Sequence, residues 1–104
     1  MITLTGKLTK VFDPQQKTEK FTVRKIWVTD KLTGAEKFSN DWEFQLWNND
    51  CTMIDSYNIG DILTFYVDIR GRIWTRPADG SQSVQTDIKC WNIEKEGKLH
   101  KAID

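Results

Sequence analysis

The sequence of 104 residues contains few cysteines, prolines and glycines: two, two and six. Cys51 and Cys90 do not form a CxxC pair, and with the single His100 they provide too few ligands for a zinc site. A disulfide framework is therefore not expected, and both thiols are predicted to be buried and reduced. The scarcity of proline and glycine argues against a linker or a fibrous protein.

Long hydrophobic runs are also missing. No segment approaches the ~20 apolar residues of a membrane-spanning helix. Residues 1–5 have the pattern of a strand, without the basic segment followed by an apolar one that marks a secretion signal. We therefore expect no membrane association and a cytoplasmic location.

An excess of charge of one sign is absent as well, because 15 basic residues balance 15 acidic ones. This balance argues against a general polyanion binder. The charges are nevertheless segregated: residues 1–25 hold six Lys/Arg and two acids, residues 26–69 two Lys and eight acids, and residues 70–104 seven Lys/Arg and five acids. A fold that brings the two ends together gathers their basic residues on one face.

Tryptophan, in contrast, is abundant, with five in the chain. Trp27, Trp47, Trp74 and Trp91 each directly follow a residue typical of a core. Neighbouring residues of a strand point to opposite faces, so these indoles are predicted to point outward when the preceding residue points inward. A set of exposed indoles is typical of a surface on which flat ligands stack.

Two tryptophans need separate interpretations. Trp42 has the same parity as Phe44, and we therefore expect it to pack in the core. For Trp91 three roles remain open: it covers the end of a barrel, contacts a second subunit or binds a ligand.

Alternation with period two predicts five strands, at residues 2–12, 21–29, 42–47, 63–70 with a continuation at 73–76, and 83–93. Gly6 predicts a bulge or bend in the first strand, and a parity change near Arg24 and Lys25 predicts a bulge in the second. Gly71 and Arg72 are interpreted as a tight turn or bulge. Residues 51–57, preceded by capping residues, predict a short helix.

Five strands with one short helix between the third and fourth are the order of the OB-fold, a Greek-key β-barrel. The predicted fold class is therefore all-β, with an OB domain at residues 1–95 and a short charged tail at residues 96–104. The alternative, an SH3-like barrel or sandwich, has no natural place for the helix.

Several segments resemble bacterial OB domains of the single-stranded-DNA-binding-protein type. Residues 6–11, 44–47, 59–72 and 86–93 resemble their first, third, fourth and closing strands. The most distinctive pieces are Gly60-Asp61 before the fourth strand and the run from Asp87 to Trp91. The chain thus resembles a small family of single-OB proteins from bacteria and their phages, over about residues 1–95.

The resemblance and the outward tryptophans imply that the protein binds single-stranded DNA, or RNA, with little sequence preference, in replication, recombination or repair. Each base–aromatic stack contributes roughly 1–3 kcal/mol. The candidate binding residues are Trp27, Trp47, Trp74, Tyr66, Arg24, Arg70, Arg72, Arg76, Lys17 and Lys20. Trp74, flanked by two arginines, forms the strongest cluster. A homo-oligomer is expected, because one small domain offers a small site.

Other functions remain open. The outward tryptophans are also typical of a protein-interaction or oligomerisation module. OB-folds bind oligosaccharides too, although the arginines favour a charged ligand. Glu43, on the same outer face, disfavours phosphate there. No enzyme, cofactor or metal is expected, because His100 has no evident partner and no glycine-rich phosphate loop is present.

Overall fold

The computed structural model describes residues 2–30 and 40–95, and most of these lie in strands. In that part of the chain the strands are β1 (Ile2–Val11), β2 (Gln15–Thr18), β3 (Phe21–Thr29), β4 (Asp41–Trp47), β5 (Ile62–Thr75) and β6 (Gln82–Lys95), with a 3₁₀ helix at Asn48–Ser56. The predicted tail at residues 96–104, and residues 31–39 of the polar connection, lie outside the described residues.

The sheet closes on itself to form a barrel. Its strand order is β1-β5-β6-β4-β3-β2, and β1 also pairs with β3. One strand serves both neighbours because β1 pairs with β5 from Ile2 to Lys7 and with β3 from Lys7 to Val11. The last seam is narrow: within the described residues, Gln45 and Lys89 form the one parallel pair that joins β4 to β6. This is the predicted OB-fold, and the all-β fold class is confirmed.

Alternate residues of the barrel strands build the core. Ile26, Phe44, Leu46, Leu63 and Phe65 have no measurable exposure. The rings of Phe44 and Phe65 lie 5.3 Å apart between their centroids. Burying one such side chain contributes about 1.5–3 kcal/mol. The predicted inward parity of these positions is therefore confirmed.

The side chain of Trp42 confirms another expectation. It is half-buried and packs against the same core. Its parity with Phe44, which is fully buried, made this position predictable.

Gly6 lies where β1 passes close to Val28 and Thr29 of β3. A Cβ atom at Gly6 would meet Val28 Cγ1 at 2.5 Å and the Thr29 carbonyl oxygen at 2.7 Å, distances that real Cβ atoms do not show. The irregularity in β1 lies between Leu8 and Lys10, not at Gly6. Gly6 therefore serves the close approach of two strands.

The bulge predicted near Arg24 and Lys25 is wrong. The register of β3 with β4 runs without interruption from Val23 to Thr29. Val23 keeps its outward parity, yet it is only 6% exposed, because it lies at the floor of surface clefts between larger side chains. The apolar Val23 is therefore buried on the outer face without a bulge in β3. Arg24, its neighbour, keeps the inward parity.

The short strand β2 was not predicted from the sequence. It pairs with β3, Gln15 opposite Val23 and Thr18 opposite Phe21. All four of its residues are exposed, so no alternation of apolar and polar residues marks it. Together β2 and β3 form a hairpin that rises beside the barrel.

The turn or bulge predicted at Gly71 and Arg72 is also wrong. β5 continues to Thr75, which pairs with Gln82 of β6. We call residues 69–88, the ends of both strands with their turn, the arm. The protein measures 59 × 34 × 24 Å with a radius of gyration of 16.0 Å, whereas a compact chain of 100 residues has about 13 Å.

The 3₁₀ helix lies at one end of the barrel, where Cys51 and Ile54 are buried. It begins at Asn48, earlier than predicted, with a left-handed backbone (φ 52°). The Asn48 side chain accepts a hydrogen bond from the Thr22 N–H at 3.0 Å, so it ties the helix to β3 instead of capping it. Within residues 2–30 and 40–95, no helix has the length and hydropathy needed to cross a membrane.

Candidate nucleic-acid interface

A cleft of about 520 Å³ lies between the β2–β3 hairpin and the arm. Its floor is the outer face of β3 and β4. Four of its lining side chains are basic, Lys17, Lys25, Arg70 and Arg72, and one, Asp87, is acidic. We call it the main cleft; its excess of positive charge suits an anionic ligand.

Trp47 provides the aromatic surface of the main cleft, and its neighbours fix its orientation. Its Nε1 donates a hydrogen bond to Gln45 Oε1 at 2.9 Å, and Gln45 Nε2 donates to Asp87 Oδ1 at 3.0 Å. The Phe21 ring contacts the indole edge-on at a centroid distance of 5.2 Å. Lys89 Nζ lies 4.9 Å from the indole centroid. The site thus combines an oriented indole with a cation above it.

A second cleft of about 250 Å³ lies further along the same outer face, around Trp27. The Phe12 ring contacts this indole at 5.0 Å between centroids, and Lys10 Nζ lies 5.0 Å from the Trp27 centroid. Trp27 Nε1 donates to Glu43 Oε1 at 3.0 Å. Lys25 lines both clefts. This Trp27 cleft and the main cleft therefore form one continuous surface.

The predicted cluster around Trp74 divides between two places. Arg70 and Arg72 line the main cleft, and Trp74, 46% exposed, follows them on the same face of the arm. Trp74 does not line either cleft. Arg76 begins the turn, where its N–H donates to the Ser81 carbonyl at 2.8 Å. Trp74 and Arg76 thus extend the surface beyond the main cleft.

Arg24 does not reach either cleft. Its Nε donates to the Phe12 carbonyl at 2.8 Å, and its Nη1 donates to the Cys51 carbonyl at 3.1 Å and to Asp55 Oδ1 at 2.9 Å. The side chain is 15% exposed. Because β3 has no bulge, Arg24 points inward and links Phe12, the residue after β1, and the 3₁₀ helix to β3.

The remaining predicted residues lie in three places. Lys17 lines the main cleft, whereas Lys20 is exposed in the turn after β2 and outside both clefts. Tyr66 packs against Trp91 at 5.4 Å between centroids, on the outer face of β5 and β6. The hydrogen bond from Tyr66 to Glu94 raises the pKa of the tyrosine. Tyr66 thus belongs to a separate aromatic pair.

The sequence did not identify five residues that line the two clefts or contact their indoles. These are Lys10, Phe12, Phe21, Lys25 and Lys89. Phe21 carried a usable signal, because it has the outward parity of an exposed aromatic platform. The contacts of Lys10 and Lys89 join different strands, so they depend on register.

The cysteines take no part in this surface. Both are buried and unpaired. Burial raises the pKa of the Cys90 thiol to about 12 and also raises the pKa of Cys51. Neither thiol is therefore activated as a nucleophile. The described residues contain no group of three or more His, Cys, Asp or Glu side chains arranged to hold a metal ion.

The fold and the clefts define an OB-fold protein with an aromatic, basic outer surface. Comparison with protein families gives a more specific assignment. The chain belongs to the family described as a domain of unknown function (DUF3127), whose model matches residues 3–94. Among curated proteins, no significant sequence match is found.

Solved structures share the fold at low sequence identity. One is the mitochondrial single-stranded DNA binding protein Rim1 from S. cerevisiae, with 13% identity, a TM-score of 0.64, and coverage of 91% of this chain and 92% of that chain. Another is Plasmodium falciparum SSB in complex with ssDNA, with 16% identity, a TM-score of 0.56, and coverage of 90% and 91%. The predicted resemblance to this type of OB domain is thus confirmed for the fold.

Proposed function

We propose that the protein binds single-stranded nucleic acid, primarily DNA, with little sequence preference. One observation carries the proposal: the main cleft combines the oriented indole of Trp47 with the basic side chains of Lys17, Lys25, Arg70 and Arg72. An indole stacks on any base, because every base has a π-face, and the basic side chains neutralise phosphates. This combination favours a single strand, whose bases are unstacked.

The bound strand crosses the outer face of β3 and β4. It runs from the Trp27 cleft through the main cleft and along the arm, where Arg72 and then Trp74 lie on one face. The similarity of the fold to Plasmodium falciparum SSB, whose structure contains ssDNA, supports this proposal. Oligosaccharides fit less well, because a neutral sugar leaves four basic side chains of the main cleft without a partner.

Titration of a labelled oligo-dT at several salt concentrations tests the proposal. We expect binding that quenches tryptophan fluorescence and weakens with salt. The slope of log Kobs against log[salt] is about −0.7 per neutralised phosphate for single strands, hence about −3 for four phosphates. A duplex of the same length should bind more weakly, and oligo-U measures the preference for DNA over RNA. Folded protein that binds no oligo-dT at low salt contradicts the proposal.

A homo-oligomer is the second proposal, and the arm supports it. The face opposite the arginines carries Ile69, Ile73 and Val84, each between 59% and 69% exposed. Exposed apolar side chains are typical of interfaces. Linked sites also raise the affinity for a long strand. Sedimentation of wild type and Ile73→Ser tests this: a variant that stays monomeric while the wild type associates supports it, and a monomeric wild type contradicts it.

We further propose that the protein acts in the cytoplasm, where it protects or presents single strands during replication, recombination or repair. This role requires no chemical step, so we propose a binding protein and not an enzyme. The pure interaction module is the competing function. Replacing Trp74 and Arg76 by Ala distinguishes the two, because weaker DNA binding by an intact oligomer supports the first, and dissociation of the oligomer supports the second.

A further inference from the structure

An acidic side chain, Glu43, lies against an exposed tryptophan on the outer face of β4. Glu43 is directly opposite Trp27 in the register of β3 and β4, and its Oε1 accepts the hydrogen bond from Trp27 Nε1 at 3.0 Å. Both side chains are open to solvent, Trp27 at 41% and Glu43 at 46%. A ligand that stacks on this indole therefore meets the carboxylate at the edge of the ring.

The Trp27 cleft differs from the main cleft in charge. Asp13 and Glu43 line it together with one basic residue, Lys25, among the described residues. Lys10 lies beside it, over the indole. The main cleft has four basic lining residues and one acidic residue. Phosphates are therefore drawn to the main cleft more strongly than to the Trp27 cleft, where two carboxylates offset the cations. A base edge is the part of a strand that fits beside Glu43.

The second carboxylate oxygen of Glu43 is available to such a base. Oε2 forms an ion pair with Lys25 Nζ at 3.9 Å, a separation longer than a hydrogen bond, so its lone pairs remain open to a donor. A glutamate carboxylate accepts hydrogen bonds and donates none. Cytosine, adenine and guanine each carry an exocyclic amino group that donates. Thymine and uracil have no such group, and their N3–H donor lies between two carbonyl oxygens that repel a carboxylate.

We propose that Glu43 biases the Trp27 cleft toward bases with an exocyclic amino group, and against thymine and uracil. This inference rests on the proposed binding of single strands. It adds a preference at one position of the strand to a surface that otherwise tolerates any sequence.

The test compares oligo-dC with oligo-dT, both pyrimidine strands, on wild type and Glu43→Gln at one salt concentration. Anisotropy of the labelled strand gives both affinities without relying on tryptophan signals. The glutamine is isosteric and offers an N–H to thymine carbonyls. We expect the ratio of dC to dT affinity to fall by roughly threefold to tenfold in the variant, the effect of one hydrogen bond. The intrinsic difference between the two strands cancels in this comparison.

Glu94→Gln is the matched control, because it removes the same charge from an exposed residue of β6 that lines neither cleft. It should leave the ratio unchanged. An equal ratio in wild type and Glu43→Gln, with both strands bound, overturns the inference and leaves the proposed function standing. An equal fall in Glu94→Gln also overturns it, because the effect is then one of net charge. Wild type that binds neither strand contradicts the proposed function itself.

Discussion

The two halves of β5 place apolar residues at the same parity, but their surroundings differ. In the barrel half, Leu63, Phe65 and Val67 are at most 1% exposed, whereas in the arm half Ile69 is 59% and Ile73 is 68% exposed. All five share one parity. The barrel half has β1 on its second edge and the core beneath it, and the arm half pairs with β6 alone. Alternation therefore sets which way a side chain points, and the packed neighbours set whether it is buried.

The largest expected effect is on stability, and it tests the difference between the barrel half and the arm half of β5. Leu63→Ala, in the barrel half, removes a fully buried side chain and should lower the free energy of unfolding by about 2–5 kcal/mol. Ile73→Ala, the matched change in the arm half, should change it by less than about 0.5 kcal/mol in the monomer. Urea denaturation measures both. Similar losses in the two variants would mean that the arm packs on the barrel.

The second prediction compares the tryptophans of the barrel and the arm. Trp47→Ala removes the indole of the main cleft and should weaken oligo-dT binding by about 1–3 kcal/mol, roughly fivefold to 150-fold. Trp74→Ala removes an indole beyond that cleft, so its loss of affinity should be smaller. Anisotropy titrations give both values, with circular dichroism as the check on folding. A larger loss for Trp74 would move the centre of the site onto the arm.

The third prediction separates a structural cation from a binding one. Arg24→Ala loses three hydrogen bonds at the barrel end and should lower the free energy of unfolding by about 1–3 kcal/mol. The salt slope of DNA binding should stay as in wild type. Lys17→Ala should do the opposite, with unchanged stability and a slope reduced by about 0.7. A reduced slope in Arg24→Ala contradicts the assignment.

The smallest expected effects concern the arginines of the arm. Arg70→Ala and Arg72→Ala should each reduce the salt slope by about 0.7, because both side chains line the main cleft. Arg76→Ala, at the turn, should reduce it less. Equal effects of all three changes would show that the strand follows the arm to its tip.

Parity made much of the barrel predictable from the sequence. The bounds of β3, the inward position of Phe44 and the outward position of Trp27 follow from local alternation, which burial on one face imposes. Local pattern predicts a break in the arm at Gly71, because a glycine within a strand is typical of a turn or bulge. The bulge near Arg24 is predicted wrongly because Val23 is apolar and therefore expected to point inward. Val23 points outward and is buried by its neighbours in the clefts, which the local sequence does not reveal.

The candidate site was less predictable than the fold. The sequence predicts Trp47 and Lys17 as separate candidates, but the main cleft exists because the β2–β3 hairpin and the arm rise on either side of Trp47. Neither the unmarked strand β2 nor the length of the arm follows from local pattern. The hydrogen bonds from Trp47 through Gln45 to Asp87 join β4 to β6, so they depend on how the barrel closes.

If the proposed complex forms, the narrow seam between β4 and β6 links ligand binding to the stability of the barrel. One backbone pair, the Gln45–Asp87 hydrogen bond and the contact of Lys89 with the Trp47 ring join the two strands in the described part of the chain. A nucleic-acid strand that contacts Trp47 of β4 and the arginines of the arm spans this seam from outside. Because it binds the closed barrel and not the opened one, it adds RT ln(1 + [L]/Kd) to the free energy of unfolding. In the proposed complex, the nucleic acid acts as a reversible cross-link across the seam between β4 and β6.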